Sequence, residues 1–197
     1  MSPVLHLQAY RTRQAPMLVL VDLQQEHRAA GRDTEHALAN CRLALAHARA
    51  KEMPVAFVRR MTGSPLAPEK PSSSWIEGFQ PWGVDMIFER RDSSCYASAN
   101  FDEVITRAGG YFAFAGLGGE SSGLATAVDA AHRGHRVTYL SDASVSNRLG
   151  DIASGDVHRV VAEIIAGYGE RMSTERWIKA TSALTNRDRG EERERVR

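Results

Sequence analysis

Residues with chemically useful side chains stand at the ends of three apolar runs in this sequence. Asp22 follows MLVLV, Arg90 and Arg91 follow DMIFE, and Ser121 and Ser122 follow YFAFAGLGGE. A carboxylate can accept and return a proton, a guanidinium can hold negative charge, and a hydroxyl becomes a nucleophile when a base takes its proton. Because ligands of open α/β sheets bind beyond the carboxyl ends of the strands, these side chains could converge on one crevice.

Each of these residues also has a plain structural interpretation, and the residue types alone leave both interpretations open. An aspartate at a strand end often caps a loop or pairs with a base, and one of the two arginines is expected to be solvated only. A serine just before a helix is commonly its N-cap. The glycines of GLGGES can serve only a tight turn.

The segment GLGGES carries no familiar cofactor or nucleophile motif. A dinucleotide-binding G-x-G-x-x-G pattern would need glycine at position 121, where Ser121 stands, and no Lys-Ser/Thr pair follows as in a Walker loop. A G-x-S-x-G nucleophile elbow is not formed either. The histidines are scattered without metal-ligand spacing, so we predict neither a metal nor a cofactor.

The composition narrows the class of protein. Of 197 residues, 43% are apolar and 25% charged, and 25 basic against 24 acidic side chains give a formal net charge of +1. This balance argues against a nucleic-acid binder, which carries a basic excess. The sequence has no run of the roughly 20 apolar residues that a transmembrane helix needs, and no signal-peptide pattern. Two cysteines cannot form a disulfide framework. We expect a cytoplasmic protein.

Short apolar runs alternate with helical patterns, which predicts an α/β protein with three α/β/α layers and a mostly parallel sheet of about six strands. Strands are expected at 17–23, 54–60, 85–90, 111–117 and 136–143 and near 171–172. Helices are expected at about 33–51, 98–108 and 121–132, from 154 or 156 onward, and as a turn near 174–179. Residues 61–83 show no periodic pattern, which predicts a long loop. One domain is expected over 1–182, followed by a charged tail at 183–197.

Four segments together resemble one known family. They are VDLQQ after the first strand, FERRDSSCYASANF, AFAGLGGESSGLATAVDAAHRGHRV and YLSDASVS. From about Met17 to Lys179 the chain resembles the isochorismatase-like, or cysteine hydrolase, superfamily, whose fold is Rossmann-like. The family motif is Gly-Val-x-Thr-x-x-Cys-x-x-x-Thr-Ala-x-Asp-Ala. Five residues of this sequence match it in the same register: Gly116, Thr126, Ala127, Asp129 and Ala130.

The resemblance implies a catalytic triad with two substitutions. The family aspartate falls on Asp22, the family lysine on Arg90 (or on Arg91 if the segment is shifted by one), and the nucleophilic cysteine on Ser122. Cys95 falls inside a Tyr-Ser-Ala-Phe-like segment and does not replace the missing thiol. A serine needs a base at the moment of attack, and arginine does not exchange protons as lysine does.

The family resemblance implies a hydrolase acting on an amide-type C–N bond or on a vinyl ether of a small molecule. Asp22 would be the acid/base, Arg90 the electrostatic partner, and Ser122 a nucleophile or a hydroxyl that positions water. The amides of Gly118 and Ser122 would form an oxyanion hole, with Gly119 and Ser121 in the same turn. The alternative is an inactive member that retains a ligand-binding or structural role.

The resemblance also implies a cis peptide in this turn, which would fall at Leu117–Gly118. Family zinc sites use an Asp-x-His motif, and the sequence Asp22-Leu23-Gln24 lacks that histidine. Candidate residues of the substrate pocket are Gln24, Trp75, Phe79, Trp82 and Tyr96. Because family members usually associate and 61–83 is rich in aromatic residues, we expect a homo-oligomer, a dimer or larger.

Overall fold

The structure, a computed structural model, describes residues 17–28, 31–62, 70–71 and 73–183. The strands are β1 (Met17–Val21), β2 (Val55–Thr62), β3 (Lys70–Pro71), β4 (Met86–Arg90), β5 (Tyr111–Gly116), β6 (Arg136–Ser144) and β7 (Glu170–Met172). The helices are α1 (Arg32–Ala50), α2 (Phe101–Arg107), α3 (Leu124–His132), α4 (Ser154–Ala166) and α5 (174–183).

Six strands form one parallel sheet in the order β4-β2-β1-β5-β6-β7, which confirms the predicted α/β fold. Every residue of β1 is buried, as expected for a strand covered on both faces. The strand β3 was not predicted. It pairs antiparallel with the last two residues of β2, so part of the predicted loop at 61–83 belongs to the sheet.

The two faces of the sheet carry separate apolar cores. Leu18 and Leu20 of β1 pack on one face with α1 and with Trp177 of α5. The alternate residues of β1 face the other core, which includes side chains of α2, α3 and α4. The predicted apolar stripe of α1 is buried in the first core: Leu38, Cys41, Leu45 and Ala48. Successive side chains of a β-strand point to opposite faces of the sheet, so β1 contributes alternate residues to the two cores.

The connections create a switch point beside β1. From β1 the chain proceeds to β2 and β4 on one side, then returns across the sheet to β5 on the other side. In open α/β sheets, ligands bind at the carboxyl ends of the strands where the strand order reverses. The functional crevice is therefore expected between the residues that follow Val21 of β1 and Gly116 of β5, which are paired in register.

Gly116 is needed where β5 crosses the end of β1. Its φ is +141°, and a Cβ at this position would lie 2.0 Å from the carbonyl oxygen of Val21. We expect Gly116→Ala to lower the free energy of unfolding by about 3 kcal/mol or more, because overpacking adds to backbone strain. Urea denaturation measures this, with Gly83→Ala as the control, since Gly83 has open space around it. Equal stability of the two variants would contradict this.

The predicted domain limits fall partly outside the described residues. The helix α5 extends to residue 183, and the rest of the predicted charged tail, 184–197, lies outside the described part of the chain. Within the described ranges, no helix is long and apolar enough to cross a membrane. The described backbone contains no cis peptide bond. The Leu117–Gly118 bond, which was expected to be cis, is therefore trans.

Candidate active site

Asp22 lies at the carboxyl end of β1 in an unusual backbone conformation. Its φ is +55°, and its N–H donates to the carbonyl oxygen of Val58 at 2.9 Å. A left-handed conformation is uncommon for a residue other than glycine and costs on the order of 1 kcal/mol or more, so it persists where the surroundings enforce it. The side chain of Asp22 is buried. Because of its left-handed backbone, Asp22 does not continue the regular alternation of side chains along β1.

Arg90 reaches Asp22 across the end of the intervening strand. It is the last residue of β4, paired in register with Arg60 of β2, and its side chain is fully buried. Neighbouring strands lie about 4.8 Å apart, so a side chain from β4 must span two strand spacings to reach β1. The guanidinium Nη2 donates to Asp22 Oδ2 at 2.5 Å, and Nη1 donates to the carbonyl of Asp92.

Ser122 completes the cluster. Its Oγ donates to Asp22 Oδ2 at 2.7 Å and accepts from Arg90 Nη2 at 2.8 Å. The three side chains that the sequence placed at strand ends therefore form one hydrogen-bonded cluster. Their catalytic roles remain a prediction. Arg91 is exposed at the surface, so Arg90 is the arginine that joins the cluster.

The serine is not a helix cap. Residues Gly119–Gly123 form one turn of π-helix ahead of α3, and the N-cap of α3 is Gly123. The sequence pattern predicted a single α-helix from 121, and this is wrong for its first turn. Because a π-turn widens the helix, it rotates Ser122 out of the regular helical position, and π-turns of this kind are frequent at functional sites.

One carboxylate oxygen of Asp22 is left without a partner. Oδ2 accepts both hydrogen bonds, whereas Oδ1 is buried and has no hydrogen-bond partner among the described residues. A buried acceptor without a donor is costly unless a ligand or water completes it. The arrangement can thus accept one more donor at Asp22 while Arg90 balances the negative charge.

The turn after β5 uses some of its amides internally. The N–H of Gly119 donates to the carbonyl of Val145 at 2.8 Å, and that of Ser121 donates to the carbonyl of Gly118 at 3.1 Å. Gly119 and Ser121 therefore shape the turn. Of the amides in this turn, those of Gly118 and Ser122 stay candidates for an oxyanion hole.

Gln24 and Trp75 lie beside the end of β1. The side chain of Gln24 is buried, accepts from the N–H of Arg60 at 2.7 Å and donates to the carbonyl of Ser73 at 3.2 Å. Trp75 forms a backbone bridge with Gln24 and packs edge-on against Phe57. Gln24 thus ties the end of β2 to the segment that carries Trp75.

The other three residues predicted for the pocket lie away from this cluster. Phe79 is fully buried in the core on the α1 face, and Trp82, 60% exposed, stacks on Arg49 at the end of α1. Tyr96 packs on Phe112, and its hydroxyl bonds His135 Nδ1 at 2.8 Å. The end of α1 and the starts of β5 and β6 lie at the amino edge of the sheet, opposite the carboxyl ends. The structure therefore does not bring Phe79, Trp82 and Tyr96 together with the cluster of Asp22, Arg90 and Ser122.

Both cysteines are buried thiols rather than nucleophiles. Burial raises the pKa of Cys41 to about 12, and it raises that of Cys95 to about 11 although the charge of Arg90 opposes this. The Sγ of Cys41 donates to the carbonyl of Ala143. Since the thiolate is the reactive form, both side chains are expected to be inert at neutral pH.

We therefore expect iodoacetamide at about pH 8 to leave any hydrolytic activity unchanged, because both thiols stay protonated well above that pH. Peptide mass mapping after the reaction measures alkylation of Cys41 and Cys95, with urea-unfolded protein as the positive control. Rapid alkylation of folded protein at Cys95 with loss of activity would contradict the assignment of Ser122.

In the part of the chain that the structure describes, no three or more His, Cys, Asp or Glu side chains are grouped to hold a metal ion. The fold and the cluster together define an α/β protein with a candidate hydrolytic centre at the switch point of its sheet. The chain belongs to the isochorismatase family, because the family model described as "Isochorismatase domain" matches residues 16–165.

Solved structures of this family share the fold. An isochorismatase from Pseudomonas putida KT2440 is 21% identical, with 84% of this chain and 90% of that chain covered and a TM-score of 0.74. A cysteine hydrolase from Pseudomonas syringae pv. phaseolicola 1448A is 22% identical, with 88% and 94% covered and a TM-score of 0.74. An isochorismatase family protein from Burkholderia thailandensis is 16% identical, with 85% and 95% covered and a TM-score of 0.69. No curated protein matches the sequence.

Proposed function

We propose that this protein is a hydrolase of a small molecule, acting on an amide-type C–N bond or a vinyl ether through Asp22, Arg90 and Ser122. One observation carries the proposal: the Oγ of Ser122 donates to Asp22 Oδ2 at 2.7 Å while Arg90 Nη2 bonds both groups. A nucleophile, a base and a fixed positive charge in direct contact are the parts that hydrolysis needs.

For an amide substrate, Ser122 is the nucleophile. Its Oγ attacks the carbonyl carbon while its proton passes to Asp22 Oδ2, and the oxyanion is held by the amides of Gly118 and Ser122. Asp22 then gives the proton to the leaving nitrogen, which leaves an ester on Ser122. Water, deprotonated by Asp22, attacks that ester, the bond to Ser122 Oγ breaks, and Asp22 returns the proton to Ser122 Oγ. Arg90 stays charged throughout and stabilises the alkoxide and the carboxylate in turn.

For a vinyl ether, the same residues take different roles. A protonated Asp22 delivers its proton to the vinyl carbon, and water adds to the resulting oxocarbenium ion while Asp22 takes a proton from that water. Asp22 then gives this proton to the ether oxygen of the hemiketal and takes back the hydroxyl proton as the C–O bond breaks, so the alcohol leaves, a carbonyl forms and no covalent intermediate with the protein arises. Ser122 then holds the water by its hydroxyl. The free Oδ1 of Asp22 is the position from which a substrate or water donor can be bound in either reaction.

Ser122→Ala distinguishes these two reactions. Turnover is expected to fall by at least about 1,000-fold if Ser122 is the nucleophile, and by no more than about 100-fold if it only positions water. Steady-state kinetics on small amides and vinyl ethers measure the difference, and Ser121→Ala is the matched control in the same turn. Unchanged turnover in Ser122→Ala would contradict both roles.

The burial of the cluster favours a second candidate function. Asp22, Arg90 and Ser122 are only 4%, 2% and 1% exposed, and they bond one another. A closed network of this kind also suits an inactive member in which the ion pair is structural and the protein binds a ligand without converting it. Wild-type protein that turns over neither amides nor vinyl ethers would favour this second function.

We also propose a cytoplasmic homo-oligomer, a dimer or larger, with a small molecule as its ligand. Apolar side chains are exposed along the outer edge strand β4 and the turn before it: Trp82, Val84 and Ile87. Sedimentation velocity at micromolar concentration is expected to return at least twice the chain mass of 21.7 kDa. A single monomeric species would contradict this.

A further inference from the structure

A second cleft opens at the carboxyl end of β6, between the starts of α1 and α4. Its volume is about 290 Å³, and its lining includes Asp33, His36, Asp142, Ser146, Gly155 and His158. None of the residues lining it belongs to the Asp22–Arg90–Ser122 cluster.

Hydrogen bonds indicate the tautomer of the histidine in this cleft. His158 Nε2 lies 2.8 Å from the carbonyl oxygen of Ser141, which can only accept, so Nε2 carries the proton. In the neutral ring Nδ1 is then an acceptor, and it lies 3.3 Å from the Oγ of Ser146. The hydroxyl of Ser146 therefore donates to a basic imidazole nitrogen whose orientation the Ser141 carbonyl holds.

This is the arrangement of an activated serine: a nucleophile, a base in contact with it, and a third group that orients the base. A distance of 3.3 Å is long for a catalytic hydrogen bond but is within the looser range found before substrate binds. Ser146 is only 5% exposed, and it lines the cleft together with His158. Its hydroxyl is thus held against the imidazole at the wall of a cavity.

The start of α4 offers amides for a developing negative charge. This helix has 13 residues, and none of the described side chains caps its amino terminus. Ser154 and Gly155, its first two residues, line the same cleft. The free N–H groups and the positive end of the helix dipole favour an oxyanion there.

We propose that Ser146 and His158 form a second acyl-transfer site, independent of the proposed hydrolytic centre, which cleaves small carboxylic esters. Ser146 Oγ attacks the ester carbonyl carbon and its proton moves to His158 Nδ1. The C–O bond to the alcohol breaks, and the alcohol leaves with that proton. Water, deprotonated by His158, then attacks the acyl group, the bond to Ser146 Oγ breaks, and His158 returns the proton to Ser146 Oγ as the carboxylic acid leaves. The carboxylates of Asp33 and Asp142 select an ester of neutral or cationic charge.

p-Nitrophenyl acetate tests this proposal, with release of p-nitrophenolate as the rate and peptide mass mapping as the locator of the acetyl group. Acetylation of Ser146 is expected in wild-type protein and equally in Ser122→Ala, which separates this site from the proposed hydrolytic centre. Ser146→Ala is expected to abolish acylation at this position, and His158→Gln is expected to slow acylation of Ser146 by at least about 100-fold. Glutamine can still donate to the Ser141 carbonyl but cannot take the proton of Ser146.

His132→Gln is the matched control, since His132 is an exposed histidine at the end of α3. Ser146→Cys is expected to remain acylated because it retains a nucleophile, and thermal denaturation shows that each variant is folded. The proposal is overturned if no acetyl group appears on Ser146. It is equally overturned if acylation at Ser146 is as fast in folded His158→Gln as in wild-type protein.

Discussion

Asp22→Asn is expected to abolish hydrolysis and to weaken the fold at the same time. The amide can neither take the proton of Ser122 nor return it, so the rate is expected to fall on the order of 1,000-fold. The substitution also leaves the buried guanidinium of Arg90 without its counter-charge. Loss of one member of a buried ion pair typically costs about 3–5 kcal/mol. Steady-state kinetics and urea denaturation measure the two effects separately.

The double variant Asp22→Asn with Arg90→Met is the control that separates chemistry from stability. Removing both charges from a buried pair is often neutral or stabilising, so most of the lost stability is expected to return. Activity is expected to stay absent, because no base remains beside Ser122. Wild-type turnover in the double variant would show that this cluster is only structural.

Arg90→Lys combined with Ser122→Cys is expected to create or increase amidase activity. A thiol beside a buried cation ionises more easily than a hydroxyl, and lysine can exchange a proton where arginine does not. We expect a gain on the order of 100-fold over the wild-type rate on small amides, in line with what one proton-transfer group contributes. The gain is measured by ammonia release from a panel of such amides.

Two single variants control for this prediction. Ser122→Cys alone adds the thiol without the proton donor. Position 122 is as buried as the two native cysteines, but Arg90 Nη2 lies 2.8 Å from its side chain, so this thiol is expected to react with iodoacetamide faster than they do. Arg90→Lys alone tests whether the shorter side chain still reaches Asp22 across the end of β2. If the double variant folds, yet its new thiol resists alkylation and no amidase activity appears, the match of Ser122 to the family cysteine is wrong.

The features of the fold that depend on local sequence pattern could be predicted. The buried run of β1 followed by Asp22, and the alternation of strands with amphipathic helices, indicate a parallel sheet with its chemistry at the strand ends. The family register predicted Arg90 for the cluster and left Arg91 as the alternative, and only the structure distinguishes the two. What the sequence did not show is the left-handed backbone of Asp22 or the π-turn at Ser122, because neither leaves a compositional signal.

Features that arise only from tertiary packing were missed or misplaced. The aromatic residues of 61–83 suggested that Trp82 lines a substrate pocket. Because Trp82 precedes β4, it lies instead at the amino edge of the parallel sheet. The strand β3 exists only because its two residues pair with the end of β2. The Ser146–His158 pair was also not found, since the residues are 12 positions apart and lie on different elements. No spacing rule connects a residue after β6 with one inside α4.

The most direct measurement of the central claim compares wild-type protein with Asp22→Asn on one panel of small amides and vinyl ethers. Circular dichroism first establishes that both proteins are folded under the assay conditions. The account predicts turnover of at least one substrate by wild-type protein and a loss on the order of 1,000-fold in Asp22→Asn. Equal turnover by the two proteins, or none by wild-type protein on any substrate, would contradict a hydrolytic centre at Asp22, Arg90 and Ser122.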